Sequence, residues 1–338
     1  MREAQSNLES PAPTCGVFHW LRLGVGRFAF AAFCVLLATL AVTRPAAGEV
    51  FVTPEQLAQR IAAEPQRAPA NDAEGDWHAA VRPLVIVHVG HGRKGYDRGH
   101  IPGAIYVEGR ETYASRDGVD TVLPTPDAFA EWLGNHGIGP DMDVLLYGDA
   151  AGVFPARVYA GMNMLDLDSH VRLLDGHLRE WVAEGRPVST EPPAAHDPIA
   201  VPVSGRAPRT TSHANAVVID ARAPKSFAGD ARVPETEQRG HIAGSINLPW
   251  RRIIPDIKRP VMIADAERMI ADAVDGHAEG TMVMTTDDRG NGSAVLFAIV
   301  KHFGWDAVWD ERGLPGYALD GGTLVTPINP APSTDATP

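Results

Sequence analysis

One segment in the last third of the sequence has a high density of side chains that could do chemistry. It combines two carboxylates, a guanidinium and two glycines ahead of a helical pattern, in the order Thr286, Asp287, Asp288, Arg289, Gly290, Asn291, Gly292 and Ser293. An aspartate carboxylate can attack glycosyl or phosphoryl groups as a nucleophile. The loop resembles a phosphate loop but lacks the Gly-Lys-Ser/Thr of nucleotide sites. We therefore interpret it as a helix start with Ser293 as the N-cap residue.

Thiol chemistry is excluded for most of the chain. The sequence contains two cysteines, Cys15 and Cys34, and both precede residue 49. Residues 49–338 therefore offer no thiolate nucleophile, no disulfide and no cysteine-based zinc site.

Histidines supply the remaining candidates for metal ligands. His88 and His91 have metal-like spacing, with His100 nearby. On a strand, His88 and His91 would point to opposite faces, so we predict no metal site, and we predict no cofactor. His100 and His241 each follow a glycine in a turn, where we expect the imidazole to bridge backbone groups.

The charge balance argues against a nucleic-acid partner. The chain has 30 Lys+Arg and 42 Asp+Glu, a formal net charge of -12. Residues 1–48 hold four Arg and two Glu, a net of +2, so residues 49–338 carry -14. Nucleic-acid binding depends on clustered basic residues that displace counterions.

The first 48 residues have the pattern of an export signal. Arg22 and Arg27 precede an apolar run from Phe28 to Val42, and the small residues Ala46 and Gly48 follow. This pattern predicts a secretory signal peptide cleaved near Gly48, and hence a periplasmic or secreted protein. An uncleaved membrane anchor is the alternative, although a span needs about 20 apolar residues and this run is shorter.

The rest of the chain consists of two halves with the same pattern. RGHIPGAI at 98–105 recurs as RGHIAGSI at 239–246. Each copy follows an apolar run typical of a strand, and each precedes a helical stretch, a second buried strand, a loop and another helix. Short apolar strands that alternate with helices predict α/β domains with parallel sheets covered on both faces.

The two halves resemble the tandem rhodanese family of thiosulfate and 3-mercaptopyruvate sulfurtransferases. The resemblance extends from Phe51 to about Gly322 and depends on the two Gly-His-Ile-x-Gly motifs, on LDGHLREW at 174–181 and on the triplet Asp220-Ala221-Arg222. It implies two rhodanese-like domains, each with a central parallel five-stranded sheet flanked by helices.

We place the domain boundaries from the repeat and from composition. Residues 49–188 form the first domain, 189–208 a linker rich in Pro, Ala and Ser, and 209–325 the second domain. Residues 326–338 are rich in Pro, Ser and Thr and are predicted to be a disordered tail.

The resemblance implies a single catalytic cysteine in the loop after the fourth strand of the second domain. Counting back from Gly304 at the end of the next helix puts Asp287 at that position, or Thr286 if the loop is one residue longer. Neither side chain can carry sulfur. The expected consequence is that the acid of Asp287 already fills the anion-binding loop.

The anion contacts that the resemblance implies are also altered. Active members place an Arg just before the aromatic residue that follows the Asp-x-Arg triplet, where this chain has Ser226, with Lys225 one place earlier. Arg289, Lys225 and Arg222 remain as candidate anion contacts. Arg289 either draws an anion or pairs with Asp287 and Asp288, and we favour the pairing.

We therefore predict an exported tandem rhodanese-like protein that is inactive as a sulfurtransferase and acts as a binding or accessory module. Its expected partner is an envelope protein or a small anion, and it would touch the membrane only through an uncleaved signal. The alternative is a sulfurtransferase that works with a partner thiol, as the resemblance implies. A structural role in an envelope complex is a third hypothesis.

Overall fold

The computed structural model describes residues 49–64, 77, 82–148, 152–194, 196–203, 212–255, 263–278 and 280–326. The predicted signal peptide and residues 327–338 of the predicted tail lie outside these ranges. Among the described helices, none has both the length and the apolar character that a membrane crossing requires.

The first half contains the five-stranded parallel sheet that the family resemblance implies. Its strands are β1 (Phe51–Val52), β2 (Leu84–Gly90), β3 (Ile105–Glu108), β6 (Asp143–Tyr147) and β7 (Val171–Leu174). They lie in the order β1-β7-β6-β2-β3, and every pair is parallel. An antiparallel hairpin of β4 (Ala114–Arg116) and β5 (Val119–Val122) follows β3.

Two of the helices described in the first half begin after a capping threonine. The described helices of this half are α1 (Pro54–Ala63), α2 (Lys94–Arg98), α3 (Pro126–Asn135), α4 (Val153–Met164) and α5 (His177–Ala183). Thr53 and Thr125 cap α1 and α3 through their hydroxyls, and each is followed by proline at the first helical position.

The second half has a parallel sheet of four strands among its described residues, one fewer than expected. The strands are β8 (Val217–Asp220), β10 (Ile246–Asn247), β11 (Val283–Thr286) and β12 (Ala307–Trp309), in the order β10-β8-β11-β12. Strand β1 of the first sheet has no counterpart among the described residues of the second half. Strands β9 (His241–Ile242) and β13 (Leu324–Val325) form a separate antiparallel pair.

The described residues of the second half form five α-helices, and one of them packs against the first half. They are α6 (Pro224–Phe227), α7 (Trp250–Ile253), α8 (Ile263–Val274), α9 (Gly292–His302) and α10 (Gly313–Leu319). Helix α9 packs against α4 of the first half, where the rings of Phe297 and Tyr159 lie 5.9 Å apart. Buried side chains from both halves therefore form one continuous core.

The described part of the predicted linker packs on the first half. Ser189 and His100 exchange two backbone hydrogen bonds of 2.8 and 2.9 Å, and the Ile199 N–H donates to the Gly134 carbonyl at 3.0 Å. The described residues of this segment, 189–194 and 196–203, are thus attached by backbone contacts, while 204–208 lie outside the described residues.

The histidines of the repeated motif have the structural role that the sequence predicts. The buried His100 ring reaches the carbonyls of Tyr96 and Glu191 at 3.1 and 3.0 Å. The His241 ring reaches the Phe227 carbonyl at 2.9 Å.

The two histidines with metal-like spacing, His88 and His91, differ in burial. His88 is buried on β2, where its ring lies 4.8 Å from that of Tyr147. His91 follows β2 and is 55% exposed.

Candidate functional site

The loop that the sequence singles out lies at the carboxyl end of a central strand. Strand β11 pairs with β8 on one side and β12 on the other. Helix α9 begins directly after the loop, at Gly292, and is buried along most of its length. Because ligands of open α/β sheets bind beside the carboxyl ends of the strands, the loop occupies the usual place for a site.

The Asp287 carboxylate lies inside the loop and is 6% exposed. Its Oδ1 accepts the backbone N–H groups of Arg289, at 3.0 Å, and of Gly290. Its Oδ2 accepts the N–H of Ser293 at 3.0 Å. Three backbone donors thus converge on one carboxylate, as expected for a loop that holds an internal anion.

Thr286 belongs to the sheet and takes no part in this arrangement. Its hydroxyl donates to Oδ2 of Asp310 at 2.9 Å, and its carbonyl accepts the N–H of Ala221. Of the two residues considered for the family's cysteine position, Asp287 is the one whose side chain the loop amides surround.

The expected helix cap at Ser293 is wrong. Helix α9 has Asn291 as its N-cap residue, and that residue makes no side-chain capping bond. The Ser293 hydroxyl instead accepts the indole N–H of Trp309 at 2.9 Å. The physical reason is that Asp287, six positions earlier, supplies the acceptor that an N-cap side chain normally provides.

The glycines of the loop allow close packing. Gly290 has a φ of 68° and is buried. A Cβ there would lie 2.7 Å from Nη1 of Arg157. A Cβ at Gly292 would overlap the indole of Trp250. Both positions therefore need glycine for the loop to keep its shape.

Arg222 is engaged by acids instead of being open to a ligand. It bonds both carboxylate oxygens of Asp220, at distances from 2.7 to 3.1 Å, and its Nη1 donates to Asp288 at 3.2 Å. Burial alone would lower the pKa of Arg222, but the bonds and charges of these two acids outweigh it and the pKa is raised.

Asp288 is the strongly perturbed acid of the loop. Burial raises the pKa of Asp288 to about 6. The negative charges of Asp287 and Asp220 act in the same direction, whereas Arg222 opposes them. The carboxyl of Asp288 therefore changes its charge close to neutral pH.

Arg289 and Lys225 remain at the surface. Both residues are exposed, and within the described part of the chain the Arg289 guanidinium forms no ion pair with Asp287 or Asp288. The pairing favoured from the sequence is therefore wrong, because the loop amides hold one acid and Arg222 holds the other. Lys225 makes no hydrogen bond to the loop through its ammonium among these residues.

The first half contributes contacts that the sequence analysis missed. The Tyr113 hydroxyl donates to Oδ1 of Asn291 at 2.7 Å, and the Thr121 hydroxyl donates to the Arg289 carbonyl at 3.1 Å. Arg116 on β4 forms an ion pair with Glu311 of the second half. The hairpin β4–β5 and its flanks thus cover the loop.

The most deeply buried of these contacts is Arg157, on α4. Its guanidinium donates to the carbonyls of Arg289 and Gly290 at 3.3 and 3.2 Å. One signal was available in the sequence, because Arg157 is the single charged residue of the helix VFPARVYAGMNM. A lone charge on an otherwise apolar, buried helix usually has a specific partner.

Comparisons with known proteins agree with this architecture. The rhodanese-like domain family matches residues 69–184. The protein of Mycobacterium bovis named "Putative thiosulfate sulfurtransferase 1" is 30% identical over 271 residues, which cover 72% of this chain and 93% of that protein.

Two solved structures share the fold at low sequence identity. The 3-mercaptopyruvate sulfurtransferase of Leishmania major superposes with a TM-score of 0.59 at 19% identity, over 82% of this chain and 76% of its own. SseA of Escherichia coli, a 3-mercaptopyruvate sulfotransferase, gives a TM-score of 0.57 at 18% identity, over 78% of this chain and 98% of its own.

Proposed function

Because this chain belongs to the rhodanese-like family of thiosulfate sulfurtransferases, we propose that it is a member without sulfur-transfer activity that acts as a binding or accessory module. Membership of this family accounts for the fold and for the position of the loop within it. The chemistry of the site departs from that of a sulfur carrier.

The single observation that carries this proposal is the position of Asp287. A sulfur carrier needs a thiolate that attacks the donor sulfur and holds it as a persulfide. Here a carboxylate takes the three N–H donors of Arg289, Gly290 and Ser293, and a carboxylate forms no persulfide. Both cysteines of the chain precede residue 49.

Of the three candidate anion contacts, Arg222 is also occupied. Arg222 is paired with Asp220 and Asp288. The exposed Arg289 guanidinium, at the junction with the first half, is the cation of this loop that stays outside an ion pair among the described residues. We assign it as the contact for an acidic partner protein or a small anion.

The test is an assay of sulfur transfer with the purified protein. Thiosulfate or 3-mercaptopyruvate is supplied as donor and cyanide as acceptor, and thiocyanate is measured beside an active family member. We expect no thiocyanate above the rate without protein. Turnover comparable with the active member would overturn the proposal. Turnover that requires an added dithiol would favour the alternative of a sulfurtransferase that works with a partner thiol.

We also propose that the protein is exported. The support is the basic flank, the apolar run at 28–42 and the small residues that end at Gly48. The intact mass of the protein from the cell envelope should correspond to a chain that starts near Glu49. A full-length species that stays in carbonate-washed membranes would show that the segment is an anchor.

A further inference from the structure

Arg157 is a fully buried cation that the first half directs at the loop of the second half. Its side chain is 0% exposed, and among the described residues it forms no ion pair within 4.0 Å. Its Nη2 donates to the carbonyls of Thr112 and Thr121 at 3.0 and 2.8 Å. Burial lowers the pKa of Arg157 to about 10, against the charges of Tyr113, Asp287 and Glu311, so the group stays protonated at neutral pH.

A buried cation needs compensation. The Arg157 guanidinium lies 4.3 Å from the centre of the Tyr113 ring, and a hydrogen-bonded route connects it to the carboxylate of Asp287. Nη1 of Arg157 donates to the Arg289 carbonyl at 3.3 Å. The N–H of the same peptide group belongs to Gly290 and donates to Oδ1 of Asp287. One peptide group is therefore polarised from both ends, by a cation at its oxygen and by an anion at its N–H. In a low-dielectric interior such chains of hydrogen bonds strengthen each other.

We propose that Arg157 and Asp287 form one buried charge pair, bridged by the 289–290 peptide group, that holds the loop closed and fixes the first half against it. Asp287 is then an internal ligand, and Arg157 is a positioning residue that the other half supplies. This proposal goes beyond the proposed function, because it does not depend on whether the protein transfers sulfur.

Two further observations show that the backbone is shaped around Arg157. Thr121 has a φ of 66°, which is rare for a β-branched residue, while its carbonyl accepts from Arg157 and its hydroxyl donates to the Arg289 carbonyl. At Gly290, any Cβ would lie 2.7 Å from Nη1 of Arg157. The strained backbone of Thr121 persists because the contacts around it enforce that conformation.

The first test leaves Arg157 intact and measures hydrogen exchange of its guanidinium protons by NMR in the full-length protein. Asp287→Asn removes the anion, and we expect the Arg157 protons to exchange about tenfold faster or more, because the bridged pair no longer holds them. The matched control is Asp288→Asn, which removes the neighbouring charge and should leave them unchanged. Equal exchange in the two variants would overturn the proposal.

The second test measures ionisation at position 287. A thiol introduced by Asp287→Cys should have a pKa about one unit or more below the ordinary value of about 8.5. Adding Arg157→Gln should raise that pKa by about one unit, a tenfold change in the ionisation constant, whereas Arg289→Gln on the exposed side of the loop should raise it by less than about half a unit.

A merely structural role of Arg157 would not change the ionisation of the thiol. An equal response to Arg157→Gln and Arg289→Gln, or no response to either, would contradict the charge pair. If the Arg157→Gln variant does not fold, the exchange measurement decides the question, since every protein in it keeps Arg157.

Discussion

The Asp287 carboxylate accepts the backbone N–H of Ser293 at 3.0 Å, and a side chain from the end of β11 thereby caps the first turn of α9. An N-cap side chain normally belongs to the residue at the helix start. Here the acid reaches across the loop and also binds the N–H groups of Arg289 and Gly290. The same carboxylate therefore stabilises both the loop and the helix start.

Removing this carboxylate should destabilise the protein strongly. Asp287→Ala leaves two buried N–H donors and one partly buried N–H donor without an acceptor and leaves Arg157 without its anion, so we expect a loss of about 3–5 kcal/mol in the free energy of unfolding. Urea denaturation at pH 7 measures it. The control is Asp288→Asn, which should not destabilise the protein. A loss below about 1 kcal/mol for Asp287→Ala would show that water replaces the carboxylate.

Asp288 should make stability depend on pH in a defined direction. Burial raises its pKa from 3.8 to about 6 in the folded protein. Between about pH 4 and pH 6 the folded protein therefore keeps a proton that the unfolded chain has released, so the free energy of unfolding falls as pH rises through this window. The loss attributable to Asp288 should be about 1–3 kcal/mol and complete above about pH 7.

The measurement is a series of urea denaturations from pH 4 to pH 8. The native protein should lose stability relative to Asp288→Asn as pH rises, since the variant lacks the titrating group. The contributions of all other titrating groups to the free energy of unfolding cancel in the difference between the two proteins. Parallel curves for the two proteins would show that Arg222 holds the carboxylate ionised throughout the range.

The native loop should bind sulfur oxyanions weakly or not at all. Asp287 occupies the loop amides, and Asp288 adds a second carboxylate beside them. Titration calorimetry with sulfate and thiosulfate should show no tight binding by the native chain. The double variant Asp287→Ala with Asp288→Asn should bind through the freed amides, each charge-assisted bond contributing about 1.5–3 kcal/mol, and Arg289→Ala should weaken that binding. Tight thiosulfate binding by the native chain would instead indicate a sensor or carrier of such anions.

The sequence predicted most of the fold because the signals were local and repeated. The two copies of the Gly-His-Ile-x-Gly motif and the apolar strands beside them each depend on a few neighbouring residues. The loop after β11 could be placed for the same reason, since it follows an apolar strand directly. The four strands described in the second sheet, against five expected, are the main difference.

The partners of the charged side chains could not be predicted in this way. The neighbour chosen for Arg289 in the sequence was an adjacent acid, but Asp288 pairs with Arg222, 66 positions earlier. Arg157 meets the loop from 132 positions away. Such contacts depend on how the halves pack, and the sequence carries only one hint of them, a single charge in the apolar helix α4.

Removing Arg116 or Glu311 from their ion pair should lower the free energy of unfolding by unequal amounts. Burial raises the pKa of Glu311, and its Oε2 is buried without a hydrogen bond among the described residues. Arg116→Ala therefore leaves a poorly solvated carboxylate, and we expect it to cost about 1–2 kcal/mol, whereas Glu311→Gln should cost less than about 1 kcal/mol. Urea denaturation of both variants compares them, and a larger cost for Glu311→Gln would contradict this assignment.

Two glycines of the second repeated motif offer a matched pair for the last prediction. Gly240 and Gly244 both have left-handed backbones, with φ of 96° and 78°. A Cβ at Gly240 would overlap the Val325 carbonyl oxygen on β13, but a Cβ at Gly244 meets no atom within 4 Å.

Gly244→Ala should thus lower the free energy of unfolding by about 1–2 kcal/mol, because alanine must adopt the left-handed conformation there. Gly240→Ala carries that cost and must also displace β13, so we expect about 3 kcal/mol or more. Urea denaturation compares the two variants, and amide exchange of Leu324 and Val325 should increase in Gly240→Ala alone. Similar losses in the free energy of unfolding for the two variants would show that β13 moves aside at no energetic cost. The close approach of Val325 would then not explain why glycine occupies position 240.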